Sequence, residues 1–66
     1  MQLHINGEPR TFDAPLNIYD LLAQEGMIEM MIGVARNGTI VSRDAYKDTT
    51  LEDGDLVEIV AAMQGG

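Results

Sequence analysis

Apolar and polar residues alternate at the start of the chain, where Leu3 and Ile5 are separated by polar neighbours. A period of two is typical of a strand with one buried face. Asn6-Gly7 comes next, and both residue types tolerate the positive φ angles that a tight hairpin turn requires. The pattern predicts a β-hairpin in which Pro9 lies on an edge strand and Phe12 reaches the core.

A helical spacing follows, with apolar residues at Ile18, Leu21 and Leu22 forming one stripe. Asn17 precedes the stripe, and an asparagine caps a helix because its side-chain oxygen accepts a free backbone N–H. Gly26 suits the left-handed conformation in which helices commonly end. We predict a helix of about two turns, which is too short to be stable alone and must lie on a sheet.

The second half of the chain is rich in strand-forming residues. An apolar run at 31–36 meets a second Asn-Gly pair, Asn37-Gly38, and residues 39–41 continue beyond it, so a second hairpin is predicted. The polar segment that follows has room for one helical turn around residues 43–46, and residues 56–61 are the most β-prone stretch. Because one helix covers only one face of such a sheet, the predicted class is α+β.

Two of the predicted strands are apolar on both faces. Central strands often have this character without any further function. An uncovered apolar face is also typical of a protein–protein contact. The candidate residues for such a partner patch are Ile32, Val34, Leu56 and Val60, and both interpretations remain open at this stage.

Composition narrows the function classes. The chain has 66 residues, four Lys and Arg against eleven Asp and Glu, a formal net charge of −7 and no cysteine. It therefore lacks the basic face that nucleic acids and anionic membranes require, and it has no thiols for disulfides or thiolate metal sites. No apolar run approaches the roughly 20 residues of a membrane span, and no signal-peptide pattern is present. We expect a cytoplasmic monomer whose partners present basic surfaces.

Few residues offer catalytic or metal-binding chemistry. The single serine is Ser42 and the single histidine is His4, with no acid near His4 in the sequence, so we expect no catalytic residue. Asp53 and Asp55 alternate as calcium ligands do, but no third ligand follows at the required spacing, so we expect no metal site. The methionines within 27–31 are expected to fill an irregular core rather than bind a soft metal.

The sequence ends Met63-Gln64-Gly65-Gly66, directly after the strongest predicted strand. Terminal glycines are poor structure formers, so we expect a flexible tail over residues 62–66 and a folded domain over residues 1–61. Five extended residues reach about 17 Å. Because Gly65 and Gly66 have no Cβ, the tail suits a narrow channel that leads to a partner's active site.

Several of these features occur together in a known family. The Asn-Gly turn within residues 34–43, the Asp-Gly-Asp turn within residues 51–59 and the final Gln64-Gly65-Gly66 resemble the ThiS-type sulfur carriers of thiamine biosynthesis. The resemblance covers essentially the whole chain. Ser42 stands where family members often have proline, and the segment 27–32 is unusually rich in methionine, which affects loop detail. The resemblance implies a β-grasp, or ubiquitin-like, fold with a mixed sheet of four to five strands and one main helix.

The resemblance also implies a role for the terminal carboxylate. An ATP-dependent adenylyltransferase of the ubiquitin-activating type would adenylate Gly66, and sulfur from a persulfide donor would convert it to a thiocarboxylate for delivery to a thiazole synthase. Gly65, Gln64 and Met63 would be recognised as the tail. The chain would then be a carrier rather than an enzyme and would bind no cofactor itself, since ATP is used by the activating enzyme.

Four alternatives remain from the sequence, one of which is a similar carrier that delivers sulfur to cysteine or another metabolite. The small subunit of molybdopterin synthase shares the predicted fold and the Gly-Gly end, although such subunits are typically longer. A ubiquitin-like protein modifier would use Gly66 to form an isopeptide bond, and Lys47 is the only lysine available for linking copies of this chain to one another. A small acidic interaction domain with a frayed tail would use neither chemistry.

Overall fold

The computed structural model describes residues 1–28 and 32–61. Its elements are β1 (Gln2–Ile5), β2 (Glu8–Thr11), α1 (Ile18–Gln24), β3 (Ile32–Arg36), β4 (Thr39–Val41), a 3₁₀ helix (Arg43–Asp48) and β5 (Leu56–Ala61). The predicted helix, both hairpins and the final strand are all present. The helical turn expected around residues 43–46 is a 3₁₀ helix.

The five strands form one mixed sheet in the order β2-β1-β5-β3-β4. Strands β1 and β5 are parallel, with His4 beside Leu56, while β1–β2, β3–β4 and β3–β5 are antiparallel. Strand β2 therefore lies at one edge of the sheet. Proline has no backbone N–H, and Pro9 is tolerated there because no further strand pairs with the outer side of β2. Strand β5, last in sequence, lies at the centre of the sheet and is held by β1 on one side and β3 on the other.

The two hairpins turn where both central residues adopt positive φ. Asn6 and Gly7 have φ angles of 52° and 86°, and Asn37 and Gly38 have 50° and 84°. This conformation matches the twist of the flanking strands, and asparagine and glycine adopt it more readily than other residues. The Asn-Gly pairs were correctly interpreted as hairpin turns.

Helix α1 is fixed at its start by Asn17, whose Oδ1 accepts the backbone N–H of Asp20 at 2.7 Å. Its apolar stripe is fully buried, and Gly26 beyond its end has a φ of 72°. The helix packs on one face of the sheet, where twelve side chains form the core: Leu3, Ile5, Phe12, Leu16, Ile18, Leu21, Leu22, Val34, Tyr46, Leu51, Val57 and Ile59.

The core confirms two predictions and leaves one outside the described residues. Phe12 is buried, as the first hairpin predicted, and Met27 packs against the core cluster. The remaining methionines of the segment 27–31 fall within residues 29–31, outside the described part of the chain. Their expected role in the core stays a prediction.

Candidate functional site

One face of the sheet carries exposed apolar side chains. Ile40 is 83% exposed, Val60 64% and Leu56 54%. We call these three residues the open-face patch. Gly33 lies beside Val60, and a Cβ built on Gly33 would contact Val60 Cγ2 at 3.4 Å. Since helix α1 covers the opposite face, the described residues leave this patch available to a partner.

The predicted partner patch is partly wrong. Leu56 and Val60 are exposed as expected, but Val34 is only 2% exposed and Ile32 is partly buried against the core. The reason is strand register, because directly opposed residues of a sheet project to the same face. Val34 is paired with the core residue Ile59, so it must face helix α1.

Ile40 belongs to the open face and was missed by the sequence-based prediction. It is paired with Ala35 across the β3–β4 hairpin, and the neighbouring residue Val41 turns inward to the core. Because Ile40 and Val41 are adjacent in a strand, the sequence already indicates that one of them faces the core and the other faces solvent. A three-residue strand is nevertheless too short to assign its faces from sequence, because either residue could be the buried one.

The end of β5 is the second part of the candidate site, because it leads to the predicted tail. On one side β3 holds it through the pairs Gly33–Val60 and Ile32–Ala61. On the other side the Asn6 side chain reaches Ile59, whose backbone N–H donates to Asn6 Oδ1 at 2.8 Å. The predicted tail, residues 62–66, lies outside the described residues, and with it the site candidates Met63, Gln64, Gly65 and Gly66.

The start of β5 is fastened by a charged network. The buried Asp55 carboxylate accepts hydrogen bonds from Arg36 Nε at 2.8 Å, from Asn37 Nδ2 at 3.1 Å and from the Glu52 backbone N–H at 2.8 Å. Burial raises the pKa of Asp55, but these hydrogen bonds and the Arg36 charge outweigh burial and hold the pKa below its ordinary value. Asp55 is therefore a structural carboxylate.

A second ion pair ties the edge of the sheet to the end of α1. The guanidinium of Arg10 donates two hydrogen bonds to the carboxylate of Glu25. The hydrogen bonding from Arg10 lowers the pKa of Glu25, and its charge adds to the effect. This pair lies far along the chain from β5 and supports the scaffold rather than the candidate site.

The residues considered for catalysis and metal binding do not form such sites. His4 Nδ1 is buried without a hydrogen-bond partner in the described part of the chain, so no carboxylate orients it as a base. Asp53 accepts the Gln2 backbone N–H at 2.7 Å. Residues 1–28 and 32–61 contain no cluster of three or more histidine or acidic side chains suited to a metal. None of the described helices is long and apolar enough to cross a membrane.

Comparisons with known proteins agree on one family. The ThiS family model matches residues 3–66. The crystal structure of a thiamine biosynthesis protein (ThiS) from Geobacter metallireducens superposes with a TM-score of 0.85 at 38% identity, covering 100% of both chains. A sulfur carrier protein ThiS from Thermus thermophilus is 36% identical over 62 residues, which cover 94% of this chain and 95% of that relative.

Longer relatives also contain a similar segment. A thiazole synthase from Paramagnetospirillum magneticum is 41% identical and one from Magnetococcus marinus is 35% identical, each over all 66 residues of this chain. The chain spans only 20% of the length of these two relatives. The family match over nearly the whole chain, together with the shared five-stranded architecture, shows that this protein belongs to the ThiS family and has its β-grasp fold.

Proposed function

We propose that this protein carries sulfur for thiazole formation in thiamine biosynthesis, with Gly66 as the attachment point. The observation that carries the proposal is the family match, which runs to residue 66 and so includes the Gln64-Gly65-Gly66 end. The relative from Thermus thermophilus, similar over nearly its whole length, is itself named a sulfur carrier protein. A carrier requires no active site of its own, since larger partners perform the chemistry.

The proposed chemistry begins at the carboxylate of Gly66. A carboxylate oxygen attacks the α-phosphorus of ATP, pyrophosphate leaves, and an acyl adenylate forms. The terminal sulfur of a persulfide then attacks the acyl carbon, AMP leaves, and an acyl disulfide results. A thiol attacks the donor's sulfur in that disulfide, which leaves a thiocarboxylate on Gly66 and a new disulfide between the thiol and the donor.

A thiazole synthase is the proposed recipient of the sulfur. Two thiazole synthases contain, within one polypeptide, a segment similar to this entire chain. Fusion of the two segments favours a functional interaction between them, because a linker keeps the carrier at high effective concentration near the enzyme. These relatives also favour the thiamine pathway over molybdenum cofactor synthesis.

The open-face patch is the proposed docking surface. Val60 lies on β5 one residue before the last described residue, so a partner that covers the patch is also close to the root of the tail. The net charge of −7 favours partners with basic surfaces and increases the rate of encounter. The patch provides apolar contact area, and the acidic body provides steering.

The test is intact-mass measurement of the purified chain after incubation with an adenylyltransferase of the ubiquitin-activating type, ATP, Mg²⁺, a persulfide donor and a thiol. The expected result is replacement of one oxygen by one sulfur at Gly66, located by fragmentation. A chain lacking Gly65 and Gly66 is the matched control and should stay unmodified. An unmodified full-length chain would contradict the proposal. So would a shortened chain that fully supports growth without added thiamine in a cell that lacks its own sulfur carrier.

Isolation of the chain from its native cell separates the alternatives. Covalent adducts of Gly66 with lysines of other proteins would indicate a protein modifier. Co-purification with a molybdopterin synthase large subunit, rather than with a thiazole synthase, would assign the carrier to molybdenum cofactor synthesis.

A further inference from the structure

The side chain of Asn6 forms two hydrogen bonds with the backbone of β5. Its Nδ2 donates to the Ile59 carbonyl at 3.1 Å, and its Oδ1 accepts the Ile59 N–H at 2.8 Å. A third bond joins the Asn6 backbone N–H to the Val57 carbonyl at 2.9 Å. One turn residue thus contacts β5 at two alternate positions, in the manner of a neighbouring strand.

This contact begins where β1 ends. Strands β1 and β5 are paired at His4–Leu56 and Ile5–Val57, and the chain then turns away through Asn6 and Gly7. The side-chain amide of Asn6 takes the place of the next backbone amide of β1. Support from this side of the sheet is therefore extended along β5 to Ile59, two residues before the last described residue of the strand.

Asn37, in the other hairpin, makes comparable contacts at the opposite end of β5. Its Oδ1 accepts the Leu56 N–H at 2.9 Å, and its Nδ2 donates to Asp55 Oδ1 at 3.1 Å. The two asparagines share nearly the same φ, 52° and 50°. Asn37 thus holds the start of β5 through Leu56 and the preceding Asp55 side chain, whereas Asn6 makes both of its side-chain hydrogen bonds to Ile59, nearer the tail.

We propose that Asn6 is a positioning residue that sets the direction in which β5 presents residues 62–66 to a partner, an inference that rests on the proposed function. The geometry of the tail makes direction important. A fully extended tail of five residues would reach about 17 Å, so a rotation of about 10° at its root would move the mean position of the tip by up to about 3 Å. A displaced tip enters a partner's channel less often, which lowers capture of the tail rather than its reactivity once seated.

The test compares Asn6→Gly with Asn37→Gly. Glycine adopts the positive φ of both turns without strain, so each substitution preserves the hairpin and removes two side-chain hydrogen bonds. We expect amide exchange of Ile59 in the free Asn6→Gly chain to be about tenfold faster, because its N–H loses its acceptor. In Asn37→Gly the faster amide is expected to be Leu56 instead.

The functional readout is adenylation by an enzyme that activates the wild-type chain. We expect Asn6→Gly to raise KM for the carrier about tenfold with kcat nearly unchanged, because a misdirected tail is captured less often but reacts normally once seated. Asn37→Gly should have no such effect, although it loses the same number of hydrogen bonds. Equal KM values for the two variants, or an unchanged KM for Asn6→Gly, would overturn the proposal.

Two further measurements keep the outcome decisive. Asn6→Asp retains the acceptor for the Ile59 N–H and loses the donor to the Ile59 carbonyl. We therefore expect a smaller increase in KM than in Asn6→Gly. Asn6→Asp also takes the place of Asn6→Gly in the comparison if that variant does not fold. Residual dipolar couplings of Val60 in the free chain report strand direction without any enzyme. Unchanged couplings in Asn6→Gly would overturn the positioning role, even if the wild-type chain were never adenylated and the proposed function itself failed.

Discussion

Arg36 Nε donates a 2.8 Å hydrogen bond to Asp55 Oδ2, which joins the last residue of β3 to the residue before β5. Asp55 is only 7% exposed. Burial of a carboxylate costs free energy unless hydrogen bonds and a positive charge compensate for it. Arg36, Asn37 and the Glu52 backbone supply that compensation, so the network fastens the second hairpin to the central strand.

Removing the Asp55 charge should destabilise the fold. Asp55→Asn replaces an ionised acceptor of three hydrogen bonds with an amide that cannot accept all of them, and Arg36 loses the nearer of its two carboxylate partners. We expect the free energy of unfolding to fall by about 2 kcal/mol, measured by urea denaturation. Asp13→Asn, at an exposed position, is the control and should change stability by less than about 0.5 kcal/mol. A loss no larger than that of the control would contradict the assigned role.

Stability should also fall in acid. The pKa of Asp55 is lower in the folded chain than its ordinary value of 3.8, so the carboxylate stabilises the fold at higher pH. That contribution is lost as the pH falls from about 4 through the folded pKa, and Glu25 changes in the same direction. The difference in unfolding free energy between the wild type and Asp55→Asn should shrink over this range. A constant difference from pH 6 to pH 2.5 would show that the Asp55 charge is not responsible.

The helix cap can be tested separately. Asn17→Ala leaves the Asp20 N–H without its acceptor and should lower the free energy of unfolding by about 1 kcal/mol. Asn17→Asp keeps an acceptor for that N–H, but it loses the donor to the Lys47 carbonyl at 3.3 Å. Thermal denaturation should therefore rank wild type and Asn17→Asp above Asn17→Ala. If the two variants were equally destabilised, the bond to Lys47 rather than the cap would be the important contact.

The open-face patch predicts binding defects without unfolding. Val60→Arg and Leu56→Arg place a charge at exposed positions, so both variants should retain wild-type unfolding curves while their affinity for a thiazole synthase falls at least about tenfold. Gln24→Arg adds the same charge on helix α1, on the other side of the sheet, and should bind normally. Val34→Arg should unfold the chain, because Val34 is buried in the core. Normal binding by both patch variants in calorimetry would exclude this face as the docking surface.

The acidic composition predicts an association rate that depends on salt. Only four basic residues oppose eleven acidic ones, so attraction to a basic partner should be screened as ionic strength rises. Stopped-flow association with the partner should slow by about tenfold or more between low salt and high salt, while dissociation changes little. An association rate independent of salt would remove electrostatic steering from the proposed function.

The fold followed from short-range features of the sequence to a considerable extent. Asn-Gly pairs prefer one turn geometry, the Ile18–Leu22 stripe has a helical period, and Asn17 is a typical cap, so the hairpins and the helix were predictable. The face on which Val34 lies was not, because it depends on pairing with Ile59, a residue 25 positions later. Ile40 was missed because the three-residue strand β4 is too short for its faces to be assigned from the sequence.

The sequence alone was sufficient to indicate the family, through its turns and its Gly-Gly end, since these are local patterns of residue type. Only the tertiary structure decided which apolar residues form the open-face patch and that Asn6 holds Ile59, a residue 53 positions away. Local φ preferences operate within a few residues and can be recognised along the chain. Strand register arises from contacts that form only when distant segments meet, and the faces of the sheet are decided at that step.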